Sequence, residues 1–144
     1  PGVKSIGRTG VAAHEMTHVI TGCAWAPSTT ALLGEGIAVR MDDYWGNPSL
    51  DITGLHQWTV YYMEQGELPS LLNLASNWDR YPTQLTYPVA GSFVKFLTDE
   101  FGIEKFRDLY CRGNAVTLPE IAETIYGIPI AELERMWHKH AAAR

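Results

Sequence analysis

The chain has 144 residues, 46% of them hydrophobic, which is enough for one compact domain with its own core. Its net charge of −5 and its scattered lysines and arginines argue against a nucleic-acid partner. No apolar run approaches the roughly 18 residues of a membrane span, so membrane insertion by this segment is not expected.

The two cysteines, Cys23 and Cys111, are too few for a disulfide scaffold and do not have a zinc-ligand spacing. They read as small buried thiols, able to pair only in an oxidising compartment. Pro1 to Gly10, with glycines at Gly2, Gly7 and Gly10, reads as an irregular lead-in. The first complete helix is expected from about Thr9 to Thr21, ending at Gly22. Its sequence from Val11 is VAAHEMTHVITG. His14 and His18 are four residues apart, so a helix places them on one face with Cβ atoms roughly 5 to 6 Å apart, a gap that one metal ion can bridge. Glu15 lies one step round the helix, off the ligand line, where a carboxylate serves as a base toward water rather than as a ligand. Val11, Ala12, Met16, Val19 and Ile20 make the rest of the segment apolar and predict a buried helix, in which the polar side chains need partners.

After the connection CAWAPSTT, Ser28 to Thr30 offer caps for a second helix, roughly Thr30 to Trp45, stopped by Gly46 and Asn47-Pro48. Glu35 lies on it between Gly34 and Gly36. Interior glycines cost a helix about 1 kcal/mol each, so the pair implies close approach to another element, expected to be the histidine helix. There Glu35 supplies a third ligand, giving two histidines, a glutamate and an open fourth position, the arrangement of a catalytic zinc site. One Zn²⁺ is the expected cofactor.

A third helix is predicted from Asp51 or Thr53 to Gln65, closed by Gly66, with Leu55, Trp58, Val60, Tyr61 and Tyr62 as its apolar bulk. His56 on it reads as a surface or packed residue. The short apolar run Leu68 to Leu74 precedes a polar stretch, Asn77 to Gln84, suited to the rim of a cleft. The next helix is expected from Pro88, whose fixed φ suits a first helical position, to Phe101 before Gly102, leaving Tyr87 at its mouth. Ile103 to Arg112 forms a helix ending at Gly113. Thr117 and Glu120 suggest a capping box for a helix ending at Gly127. Ile130 to Ala142 forms the last helix, with Leu133, Met136 and Trp137 inward and His138 and His140 at a solvated end. No run of alternating strand residues appears.

These residues carry a resemblance. HEMTH followed by GEGIA resembles the glutamate-zincin metallopeptidases, in which H-E-x-x-H and a downstream glutamate helix bind zinc. ELPSLLNL, TYPVAGSFVKFLTDEFG and IYGIPIAELERMW are similar to the helical half of small bacterial peptidase-MA-like domains. The absence of a strand pattern predicts a mainly α chain with little or no β-sheet, a single domain over residues 1–144, and the resemblance makes it the helical bundle that forms the zinc-site part of a zincin-like α+β fold. It implies His14, His18 and Glu35 as zinc ligands and Glu15 as catalytic base. It further implies Tyr87 as donor to the transition-state oxyanion, with Tyr81 as its substitute, and a peptide or protein as substrate. One position departs from the pattern. Thermolysin-like members carry an aspartate four residues after the glutamate ligand, where this chain has Val39, and Asp42 is the alternative acceptor for a histidine or else a solvated helix end. In the family a β-sheet precedes the histidine helix, so the chain is expected to be a fragment of a longer protein, weakly active by itself. A catalytically silent zinc-binding module, or a zinc hydrolase for a non-peptide substrate, remains open.

Overall fold

In a computed structural model the described residues are 2–47 and 49–144, with side chains described from residue 13 onward. They form eight α-helices and no β-strand, so the chain is mainly α as expected. The helices are α1 (Gly2–Ala24), α2 (Ala31–Asp42), α3 (Leu55–Gln65), α4 (Leu71–Ser76), α5 (Thr83–Phe101), α6 (Ile103–Arg112), α7 (Leu118–Tyr126) and α8 (Ile130–Ala142). A single 3₁₀ turn, Trp78–Arg80, precedes α5. The nearest thing to a strand pair is one antiparallel bridge between Asn47 and Ile52 in the loop after α2.

The core is built round α5. Leu85, Val89, Ala90, Gly91, Phe93, Val94, Phe96 and Leu97 are all buried, which leaves the helix almost no solvent face. A helix apolar on all sides belongs at the centre, and α5 packs against α2, α3, α6 and α8. Its tightest neighbour is α2. A methyl on Gly36 of α2 would lie 2.6 Å from Val94 Cγ2 and 2.9 Å from the Ala90 carbonyl oxygen, and one on Gly91 of α5 would lie 2.6 Å from Val39 Cγ1. The two backbones meet where each lacks a side chain. The expected partner of the Gly34/Gly36 pair, the histidine helix, is therefore corrected: Gly36 faces α5, and Gly34 faces Ser28 in the loop before its own helix.

Several predicted boundaries move. α1 begins at Gly2 instead of Thr9, because glycines tax a helix without ending it and no proline interrupts before Pro27. It also runs through Gly22, which is not in a left-handed conformation, and ends at Ala24. α2 stops at Asp42, since Asp43 adopts a left-handed φ of 52° and donates its N–H to the carbonyls of Val39 and Arg40. Thr30 caps α2 as expected, accepting from the Leu32 N–H. The Thr117 capping box does not form. Thr117 is itself near helical (φ −92°, ψ −4°), and its hydroxyl accepts from the Asn114 N–H.

The largest correction concerns α5. It starts at Thr83, five residues before Pro88, so Pro88 and Tyr87 lie inside the helix. A proline there lacks the N–H owed to the carbonyl four residues back and normally costs about 3 kcal/mol. That carbonyl belongs to Gln84, and it accepts from the Tyr62 hydroxyl of α3 at 3.1 Å. A side chain 22 residues away replaces the missing backbone donor.

Other expected environments are inverted. Met16, Val19 and Ile20 are exposed by 58, 61 and 57%, so these apolar residues of α1 face outward rather than into the core, while the side chains of Val11 and Ala12 lie outside the described residues. Cys23 and Cys111 are exposed free thiols, not buried ones. His138 and His140 are half-buried. His140 Nδ1 lies 3.1 Å from a Glu100 carboxylate oxygen, and its ring meets those of His56 and Phe96.

His56 is packed rather than exposed, within a polar contact in the core. Its Nδ1 is 2.8 Å from Ser92 Oγ, which also accepts from Trp137 Nε1 at 3.0 Å. With the serine oxygen already accepting, its own proton is free for Nδ1 of a neutral imidazole. The His56 pKa is lowered from 6.5 to about 4, chiefly by burial and then by the nearby His140, Lys95 and Arg144, with Asp99 opposing them. The folded state therefore resists protonation that the unfolded chain accepts. This contribution to stability is complete above pH 6.5 and is lost as pH falls toward about 4, up to about 3 kcal/mol. The expected outcome is that His56→Gln flattens the decline in urea midpoint between pH 7 and pH 4.5. A decline as steep as that of the unaltered chain would place the acid sensitivity elsewhere. Gly36→Ala, by the overlap with Val94 and Ala90, is expected to cost about 1–3 kcal/mol in the same measurement, whereas a neutral effect would show that α2 and α5 have room to separate.

Candidate metal centre

The inward stripe of α1 is polar at one end and apolar at the other. His14, His18, Thr21 and Trp25 follow each other at helical spacing on the side facing α2 and α6. Trp25 packs on Tyr110 and Phe106 of α6, with ring centroids 5.2 and 6.1 Å apart, and the Tyr110 hydroxyl donates to Thr21 Oγ1 at 3.4 Å. These contacts fix the rotation of α1. The histidines of the next turns are thereby aimed at α2. On α2 the sequence LLGEGIAV is buried at every position but one, and that one, half-buried Glu35, lies on the side toward α1.

His14, His18 and Glu35 together can hold a metal ion. His14 Nε2 and His18 Nε2 are each 3.1 Å from Glu35 Oε2, and 3.1 Å from one another. Protons alone do not satisfy this triangle. Each neutral imidazole offers one N–H, so at most two of the three edges hold hydrogen bonds. If both N–H groups point at Glu35, they confront each other across the third edge. One cation shared by three lone pairs removes the conflict, and tetrahedral ligands at about 2.0 to 2.1 Å stand about 3.3 Å apart. The donor set and its spacing fit such an ion.

The surroundings support the same reading. With Nε2 turned to the centre, Nδ1 of each ring carries the proton. His14 Nδ1 is 4.0 Å from Asp42 Oδ2, two turns along α2 from Glu35. That distance exceeds a hydrogen bond, so the contact is electrostatic. Burial raises the Asp42 pKa, and the charge of His14 opposes the rise. Its other oxygen, Oδ1, is buried with no partner among the described residues. Asp42 is thus the carboxylate turned to the outer nitrogen of His14, whereas Asp43 is exposed and pairs with Lys95 at 3.1 Å. Val39, at the position where the resembled family has its aspartate, is buried against Gly91.

Glu15 is exposed beside the histidines and has no salt bridge or hydrogen bond among the described residues. Tyr87 comes to the same place from α5. Its ring stacks on His14, with centroids 6.2 Å apart and planes at 22°. Burial raises its pKa, and the nearby carboxylates of Glu35 and Glu15 raise it further. The hydroxyl keeps its proton into the alkaline range and has no hydrogen-bond partner among the described residues. Tyr81, by contrast, packs against the core at the end of the 3₁₀ turn.

Sequence reasoning passed over two residues here. Trp45, in the loop after α2, and Trp78, in the 3₁₀ turn, both flank Tyr87, with centroids 5.5 and 5.7 Å from its ring. Neither carried a signal of its own: Trp45 was the last residue of the predicted second helix, and Trp78 lay in the stretch predicted to form a rim. The purified chain is expected to bind about one equivalent of metal, and His14→Ala, His18→Ala and Glu35→Ala each to lower occupancy at least about tenfold. Asp42→Asn should weaken binding by about 10-fold or more through His14. Elemental analysis after dialysis against a graded chelator checks both; undiminished metal in the three ligand variants would remove the site.

No protein-family model, curated protein or solved structure matches the chain, and the case for its chemistry accordingly stands on this geometry.

Proposed function

We propose that the chain is a zinc-dependent hydrolase acting on peptide bonds. The observation that carries the proposal is the triangle of His14, His18 and Glu35 with the Glu15 carboxylate and the Tyr87 hydroxyl beside it, neither of which has a partner among the described residues. Two imidazoles and a carboxylate suit zinc, and three protein ligands leave a position free for chemistry. When bound, zinc supplies Lewis acidity, which brings water within reach of deprotonation near pH 7 and polarises a carbonyl.

The protein groups divide the remaining work. Glu15 does not share the ligand triangle and has no ion pair among the described residues, so its carboxylate is free to take a proton from the attacking water. It then returns that proton to the departing amine nitrogen, which makes it base and acid in turn. Tyr87 holds its proton and donates a hydrogen bond to the carbonyl oxygen as negative charge develops there. Its ring is fixed by His14, Trp45 and Trp78. A donor held in place before reaction loses little in reorganising. Asp42 steadies His14 from the outer side.

Glu15→Gln keeps the shape of the side chain and removes its basicity. Zinc should remain, while hydrolysis of a mixed peptide library falls by about 10² or more. Tyr87→Phe is expected to lower kcat by about tenfold to a hundredfold with KM within about threefold, since the hydroxyl acts chiefly in the transition state. Cleavage that persists in chelator, or unimpaired turnover by Glu15→Gln, would refute the mechanism. Zinc-dependent cleavage of esters but not of peptides would move the substrate class.

A further inference from the structure

Tyr87 stands in a wall of three rings that arrive from three different elements. Trp45 lies in the loop after α2, Trp78 in the 3₁₀ turn and Tyr87 on α5. Each tryptophan is anchored. The Trp45 N–H donates to the Thr53 carbonyl at 3.1 Å, and its carbonyl accepts from Trp58 Nε1. Trp78 is held in a hydrogen-bonded turn closed by Tyr81. Yet neither is closed over as the core aromatics are. Trp58, Trp137 and Phe93 have no exposed surface, whereas Trp45, Trp78 and Tyr87 are all half-buried. Neither indole N–H of the wall has a hydrogen-bond partner among the described residues. Fixed aromatic area left open beside a reactive centre is costly for folding alone, and it matches the composition of a binding surface, in which aromatic rings supply large contact area at low entropic cost.

The charges nearby narrow what fits. Glu15, Glu35 and Asp42 surround the site, and none of them pairs with a lysine or arginine among the described residues. A substrate group placed here meets apolar rings and the negative charge of these carboxylates.

We propose that Trp45, Tyr87 and Trp78 form a subsite for a large uncharged apolar side chain, aromatic or aliphatic, on the substrate residue next to the bond that is cleaved. The proposal rests on the zinc-hydrolase reading and names its substrate class. Peptides with phenylalanine or leucine beside the scissile bond are the preferred substrates, and those with aspartate or glutamate there are rejected.

Binding separates this idea from catalysis. The zinc-loaded chain is titrated calorimetrically with acetyl-phenylalanine hydroxamate and with acetyl-glycine hydroxamate, which share the zinc-binding group and differ in the side chain. The phenylalanine compound is expected to bind at least about tenfold more tightly. In Trp78→Ala the preference should fall below about threefold with zinc content unchanged, and Trp78→Phe, which keeps an aromatic face, should retain it. Equal binding of the two hydroxamates to the zinc-loaded chain overturns the subsite and leaves the hydrolase reading intact. A preference undiminished in Trp78→Ala also overturns it. Failure of both hydroxamates to bind, with no zinc retained, overturns the subsite and the hydrolase reading together.

Discussion

The closest contact in the fold is the one between α2 and α5, and the site depends on it. Gly36 lies against Ala90 and Val94, and Gly91 against Val39, with no room for another methyl at either glycine. Glu35 is the residue before Gly36, and Tyr87 is one helical turn before Gly91 on the same side of α5. The backbone approach that packs the core therefore also sets where the Glu35 carboxylate and the Tyr87 hydroxyl stand relative to each other. Interiors are packed at crystal-like density, so a shift in this contact passes directly to the centre rather than being absorbed.

The triad that could hold a metal ion was legible because its geometry is local or nearly so. Two histidines four apart need only a helix to meet, and Glu35 needed only one more helix crossing the first. The polarity of α1 was misread for a related reason. Apolar Met16, Val19 and Ile20 suggested an inward face, but the histidine stripe takes that face, and the apolar residues turn outward. Ordinary amphipathic logic is reversed where a helix exists to present polar groups to its neighbour.

Errors elsewhere trace to interactions across the chain. Pro88 looked like a helix start because a proline inside a helix leaves a carbonyl unpaired, and nothing near it in sequence repairs that. The repair comes from Tyr62 on α3. The glycine pair of α2 correctly signalled close approach but not the identity of the partner, which only the packing of α5 decides. The aromatic wall was invisible for the same reason: Trp45 and Trp78 are 33 positions apart, and they meet only through Tyr87. His56 offers a milder case, since its partners Ser92 and Trp137 belong to α5 and α8.

The way α1 is held has an energetic consequence. Among the described residues its principal neighbour is α2, reinforced near its C-terminal end by Trp25 and Thr21 against α6. Toward the triad, the histidines themselves form the junction between the two helices. An ion held by this triad would grip both helices and act as a cross-link, so that its affinity and the docking of α1 would form one linked equilibrium. At a free concentration 100 times its Kd, such an ion stabilises the docked arrangement by about 2.7 kcal/mol. With an ion bound there, metal supply would govern the rigidity of the first helix, and loaded and emptied chains would differ in the amide exchange of α1 before any substrate is present.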